Sequence, residues 1–110
     1  MTSPLSLRTA VGTATDSQTS SGTTQATAAT LLADHAVVES VASGAGVILK
    51  PANGGEAFSV ANGDASDALL IYPPSGASFN GAAADTPLTL PPQRAAYFVF
   101  VSATKINAIY

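Results

Sequence analysis

Ser75 stands in Pro73-Pro74-Ser75-Gly76-Ala77, between the apolar run Leu69 to Tyr72 and the pair Asn80-Gly81. A serine in a tight turn behind a strand is where an acyl-transfer nucleophile could sit. The nucleophile elbow, however, reads Gly-x-Ser-x-Gly and leads into a helix. No glycine stands two residues before Ser75 and no helical pattern follows it. A serine also needs a base, and the chain has one histidine, His35, set among Ala36, Val37 and Val38 at the start of a strand pattern. That setting predicts a half-buried structural residue rather than a general base.

The remaining chemistry-bearing groups are similarly dispersed. Asn62, Asp64 and Asp67 in NGDASD offer oxygens to a hard cation, but lack the loop length and bidentate glutamate of an EF-hand. An Asx turn, with side chains bonded to the local backbone, is the expectation. Asn53-Gly54-Gly55 has neither the G-x-G-x-x-G spacing nor the Gly-Lys-Ser/Thr ending of a phosphate loop. A carboxylate pair for glycoside hydrolysis would have to come from Glu39, Glu56, Asp64, Asp67 or Asp85. Most of these fall in predicted turns, without apolar neighbours to raise a pKa. With no cysteine and one histidine, thiolate sites and typical zinc sites are excluded. The expectation is a non-enzyme with no catalytic, cofactor-binding or metal-binding residues and no cofactor.

The elements that would position these groups are short strands. HAVVESV begins the β pattern at His35, followed by GVILK (46–50), AFSVA (57–61), ALLIY (68–72), PLTL (87–90), AAYFVFV (95–101) and TKINAIY (104–110). Gly, Pro, Asn and Asp separate them, which predicts tight turns and an antiparallel sandwich or small barrel, jelly-roll-like in type. AAYFVFV carries Tyr97, Val99 and Val101 on one face and Phe98 and Phe100 on the other; with both faces apolar it is expected to be a central strand buried on both sides. Phe79 is expected to point inward.

Residues 1–30 differ from the domain expected over 31–110. Within them, 9–30 is built of Thr, Ser, Ala and Gly, with Asp16 its only charge and nothing apolar larger than Val11. Such a stretch buries too little surface to offset the ordering cost of its backbone, about 1–2 kcal/mol per residue. An extended or flexible N-terminal arm is expected, ordered only where it lies on something else. A short helix from about Gln25 to Asp34 is compatible with the composition but weakened by threonine.

The chain has 110 residues, four Lys+Arg, seven Asp+Glu and a net charge of −3; 10% of residues are charged, against ~25% in an average soluble domain. A surface so poor in charge suits a protein docked on a larger assembly or on its own copies. Arg8, Lys50, Arg94 and Lys105 are scattered, so the basic stripe that nucleic acid requires is missing. No run reaches the roughly 18 apolar residues of a membrane helix, and MTSPLSLRTAVG lacks a secretory apolar core. The expected partners therefore exclude nucleic acid and membrane, and synthesis in the cytoplasm is expected.

Residues 49–81 resemble a turn pattern of small tailed-bacteriophage virion proteins, the head decoration (cement) proteins and related head-fibre domains. The matching positions are Leu49 and Pro51, Val60 and Asn62, Leu69, Ile71, Tyr72 and Pro73, Ser75 and Gly76, and Asn80 and Gly81. The likeness covers roughly residues 24–101; the second proline, Pro74, the bulky Phe79 and Lys105 depart from the pattern. The resemblance implies a β-sandwich or barrel, homotrimeric, on the capsid exterior of the virion, bridging neighbouring major capsid proteins and stiffening the shell. It also allows a receptor- or glycan-binding β-domain of a head or tail fibre, with Tyr72, Phe79 or Tyr110 as exposed aromatics.

Overall fold

The computed structural model describes residues 12–110. Ten short strands run through them: β1 Ala14–Thr15, β2 Ala29–Thr30, β3 His35–Val38, β4 Gly46–Ile48, β5 Ala57–Asn62, β6 Leu69–Tyr72, β7 Ser78–Phe79, β8 Leu88–Leu90, β9 Arg94–Phe100 and β10 Lys105–Ile109. They make two sheets, ordered β1-β3-β5-β9-β10-β7 (sheet A) and β2-β4-β6-β8 (sheet B). Up to β9 every strand lies in the opposite sheet from the one before it, so the chain coils between the sheets in a solenoid-like path. Among the described residues there is no helix, and none long and apolar enough to cross a membrane.

The all-β expectation holds, whereas the antiparallel, jelly-roll-like arrangement does not. Pairing is parallel in β1/β3, β3/β5, β2/β4, β4/β6 and β10/β7, and antiparallel only in β5/β9, β9/β10 and β6/β8. Parallel neighbours need a long crossover, usually a helix. Here the crossover is a strand of the other sheet, which buries its own apolar face against the same core.

Alternation sets which side chains go inward. Phe58, Val60 and Asn62 of β5 are buried while Ala57 is exposed and Ser59 and Ala61 are half-buried; β9 buries Ala96, Phe98 and Phe100. Sheet B adds Val47, Leu69, Ile71, Leu88 and Leu90. Two aromatic pairs join the core: Phe58 and Phe100 meet edge-on at 5.5 Å, and Phe79 and Phe98 lie 5.3 Å apart. β9 is central, between β5 and β10, but only one of its faces is buried. Tyr97, Val99 and Val101 are 60%, 39% and 59% exposed, contrary to the two-sided burial expected from their apolarity.

The residues expected to form an arm divide in two. Residues 1–11 lie outside the described part. Residues 12–30 are extended and give one strand to each sheet, β1 and β2, tied down by hydrogen bonds rather than by apolar bulk. Gln18 is the tie, 4% exposed. Its amide donates to the carbonyls of Thr19 and Thr30 and accepts from the Leu32 backbone, while its own N–H donates to Val37. The helix considered over Gln25–Asp34 is replaced by a turn at Thr24–Ala28 and then β2. Thr24, whose hydroxyl and N–H bond to Thr27, closes that turn locally.

Adjacent residues of β9 give a direct check on this division of faces. Phe98→Ala should cost about 3–5 kcal/mol in urea unfolding, a large share of a small domain's stability. Val99→Ala, on the outer face, should change it by about 0.5 kcal/mol or less. Equal losses at the two positions would contradict the assignment.

Candidate functional site

Leu69 to Asp85 folds into a braced scaffold loop. After β6, Pro73 and Pro74 stop the strand because neither can donate to the ladder. Ala77 donates to Pro74 at 2.9 Å and Gly76 sits at φ 84°, the left-handed central position of a type II turn. Ser75 is the exposed residue before it, in the loop between β6 and β7. The only histidine is elsewhere, its Nδ1 2.8 Å from the Ser59 hydroxyl between β3 and β5. No Ser–His pair forms at Ser75.

The loop is held from two directions. Asp85 accepts the Gly76 N–H at 2.6 Å and the Gln25 amide at 3.0 Å, and Gln25 also donates to the Pro73 carbonyl at 2.8 Å. The Gln25 amide, followed by the Gly76 N–H, lowers the Asp85 pKa from its ordinary value. The Tyr72 hydroxyl donates to Thr23 at 3.1 Å. Tyr72 and Phe79, the aromatics expected to be exposed in a fibre-type domain, are therefore 5% and 4% exposed, and only Tyr110 of that set reaches solvent. Phe79 points inward, as expected.

Asn80-Gly81 forms the next turn, with φ of 50° and 79° and Ala82 donating to Phe79, a type I′ geometry. Its side chain was not legible as anything more than turn chemistry. In the fold it extends a ladder. Ser78 and Asn80 donate backbone N–H groups to Thr104 and Ile106. The Asn80 amide then takes the next place, accepting from Ala108 N–H at 2.8 Å and donating to the Ala108 carbonyl at 2.9 Å.

NGDASD is an Asx network, as the sequence leads one to expect. Asp64 accepts backbone N–H groups from Asp67 at 2.7 Å, Ser66 at 2.9 Å and Val41 at 3.0 Å. The bond from Val41, then those from Asp67 and Ser66, lower its pKa from 3.8 to about 2. Asn62 is 1% exposed; its amide donates to Asp67 and Leu90 and accepts from Asp64. Glu56 likewise accepts the Asn53 N–H across the Asn53-Gly54-Gly55 turn, and Gly55 donates to Phe100. Thus Glu56, Asp64 and Asp85 each serve a turn of their own. Among the described residues no three His, Asp or Glu side chains gather as a metal site would require.

What remains as a candidate site is the outer face of sheet A. The row His35, Ser59, Tyr97, Ile109 crosses four strands in direct register. Small side chains, Ser59, Ala61 and Ala95, lie between His35 and Tyr97 and leave a shallow hollow of about 690 Å³, with Asp16 at its rim. Five of the large apolar side chains exposed among the described residues, Tyr97, Val99, Val101, Ile109 and Tyr110, belong to β9, β10 and the residues that follow each of them; the other is Leu32. Their alternation was visible in the sequence, but an apolar period cannot say which face a neighbouring sheet covers.

Two measurements check the polar network. Below its ordinary pKa of 3.8, Asp64 is still ionised in the fold but protonated in the unfolded chain. Its contribution is therefore complete above that value and disappears as pH falls toward about 2. Acid unfolding of Asp64→Asn should show a weaker pH dependence across that window than the wild type; identical slopes would contradict the bonding described. Asn80→Gly keeps the left-handed backbone easy but deletes the amide. It should lower stability by about 1–2 kcal/mol and speed hydrogen exchange at the Ala108 N–H. Unchanged exchange there would show that the ladder does not need the side chain.

Compared with known proteins, the chain matches no family model, no curated protein and no solved structure.

Proposed function

We propose that this protein is a virion structural subunit of a tailed bacteriophage, a capsid decoration or cement protein that binds the outer surface of the major capsid protein lattice and stabilises the head. The turn pattern of residues 49–81 is the source of the reading. The observation that carries it into the fold is the open end of the coil. β1 and β2, two residues each, are the edges of sheet A and sheet B at the N-terminal turn of the coil. Among the described residues no strand pairs with their outer sides, but the Gln18 amide takes up the Thr30 carbonyl and the Leu32 N–H beside β2, so β1 is the edge left open. Unpaired strand edges accept a partner's extended segment through main-chain hydrogen bonds. Leu32, which follows β2, is 71% exposed and offers an apolar contact beside them. A chain with 10% charged residues suits permanent docking better than free diffusion.

On this reading the polar groups are architectural: Asp64, Asp85, Asn62 and Asn80 complete backbone hydrogen bonds and leave the protein a rigid clamp. The homotrimer is what the resemblance implies for its assembly on the shell. The fibre-type reading, a receptor- or glycan-binding domain, keeps only Tyr110 of its three aromatics in solvent.

The test is co-sedimentation of the purified protein with shells assembled from the major capsid protein encoded with it. Binding should saturate at a copy number matching the lattice and raise the temperature at which shells break. Leu32→Asp should weaken it tenfold or more. Absence of binding at every concentration would overturn the reading.

A further inference from the structure

The outer face of sheet A carries a projection and a depression side by side. The projection is Tyr97 and Ile109, directly opposed across β9 and β10 and 60% and 66% exposed, with Val99 next to Tyr97 along its strand. The depression begins at the next strand, where Ser59 opposes Tyr97 and Ala61 opposes Ala95, and reaches His35 and Val37 on β3. Its only charged lining group is Asp16, at the rim. Sheet B has no equivalent bare face at Tyr72, because the chain's own segment covers it. Tyr72, which bonds Thr23 there, is 5% exposed, and Ser21 bridges to Gly46.

A contiguous exposed apolar surface of this kind marks an interaction site. Its occupant is constrained by charge and by shape. A partner recognised by charge would need complementary charges, and the row His35, Ser59, Tyr97, Ile109 holds no acidic or strongly basic side chain to supply them. For the same reason a second copy, although it carries the same net charge of −3, brings few charges to this face, Asp16 beside the hollow and Lys105 on β10. The shape is self-complementary. A two-fold axis along the strands, between β5 and β9, carries each copy's Tyr97 over the other's Ser59 and its Ile109 over the other's His35. Facing sheets pack about 10 Å apart, enough for one layer of large side chains set against small ones. Each tyrosine buried in this way removes on the order of 150–250 Å² of surface from water.

We propose that the outer face of sheet A is a self-association surface, on which a second copy docks by seating Tyr97 and Ile109 in the hollow lined by His35, Ser59 and Ala61. The contact is reciprocal in a two-fold pair, and the same projection and hollow can also be repeated head-to-tail in a closed ring. It stands apart from the capsid reading, since the open end of the coil lies at β1 and β2.

Sedimentation velocity on the full chain over a range of concentrations tests it. The wild type should form a closed oligomer. Tyr97→Ser, which removes the projection, and Ala61→Arg, which fills the hollow, should each weaken association tenfold or more with folding intact by circular dichroism. Thr89→Arg, exposed in sheet B, should not. Because the chain has no cysteine, a mixture of Tyr97→Cys and Ala61→Cys proteins gives a direct readout: a bis-maleimide reagent long enough to span facing sheets should link the two variants. A wild type that is monomeric throughout, association indifferent to both Tyr97→Ser and Ala61→Arg, or a hollow that instead binds neutral oligosaccharides as a monomer would overturn the proposal.

Discussion

β9 is the strand on which the structure depends. It pairs with β5, the last strand of sheet A's parallel run, and with β10, so it converts a coil that could continue into one that closes. Its inward residues, Ala96, Phe98 and Phe100, meet Phe58 of the coil and Phe79 of the braced loop. One strand therefore supplies both the hydrogen bonds that end the parallel stack and the aromatic mass that fills the space between the sheets. Because the strands before it hold only two to six residues each, no one of them could be stable without this shared core.

A second constraint follows from the shortness of the strands. Short strands leave many backbone groups beyond their ends, and buried ones must be satisfied. The polar side chains do this. Gln18 joins the coil's first turn to β2, Asn62 and Asp64 close the β5–β6 turn, Gln25 and Asp85 brace the proline loop, and Asn80 continues the β7–β10 ladder. Carboxylates engaged by several N–H groups are held ionised and strongly acidic, the opposite of the raised pKa that suits a general acid. Asp64 and Asp85, two of the five carboxylates that a catalytic reading would recruit, are thereby committed to architecture.

Much of this was legible in the residues. Glycine, proline and asparagine located the turns, and alternation located β3 to β6 and β8 to β10, though it left both faces of β9 as inward. What stayed hidden has physical causes. Parallel and antiparallel strands share a period of two, so the coil could not be told from a sandwich by pattern. The 12–30 segment lacks apolar bulk, and the ordering of that segment by Gln18 rests on partners far along the chain, Val37 among them. Tyr97 and Val99 are as apolar as Phe98 and Phe100, and only the sheet topology shows that nothing within the described residues covers them. The candidate surface was thus present in the sequence as a pattern whose outer half was assigned to the core.

The most direct measurement is a reconstruction of shells carrying the bound protein, at a resolution that orients the two sheets. The account predicts density at symmetric sites outside the lattice, with the β1–β2 end against the major capsid protein and the β9–β10 face turned toward neighbouring copies. Shells bare of the protein, or protein bound with the β9–β10 face flat on the lattice and the β1–β2 end in solvent, would contradict it.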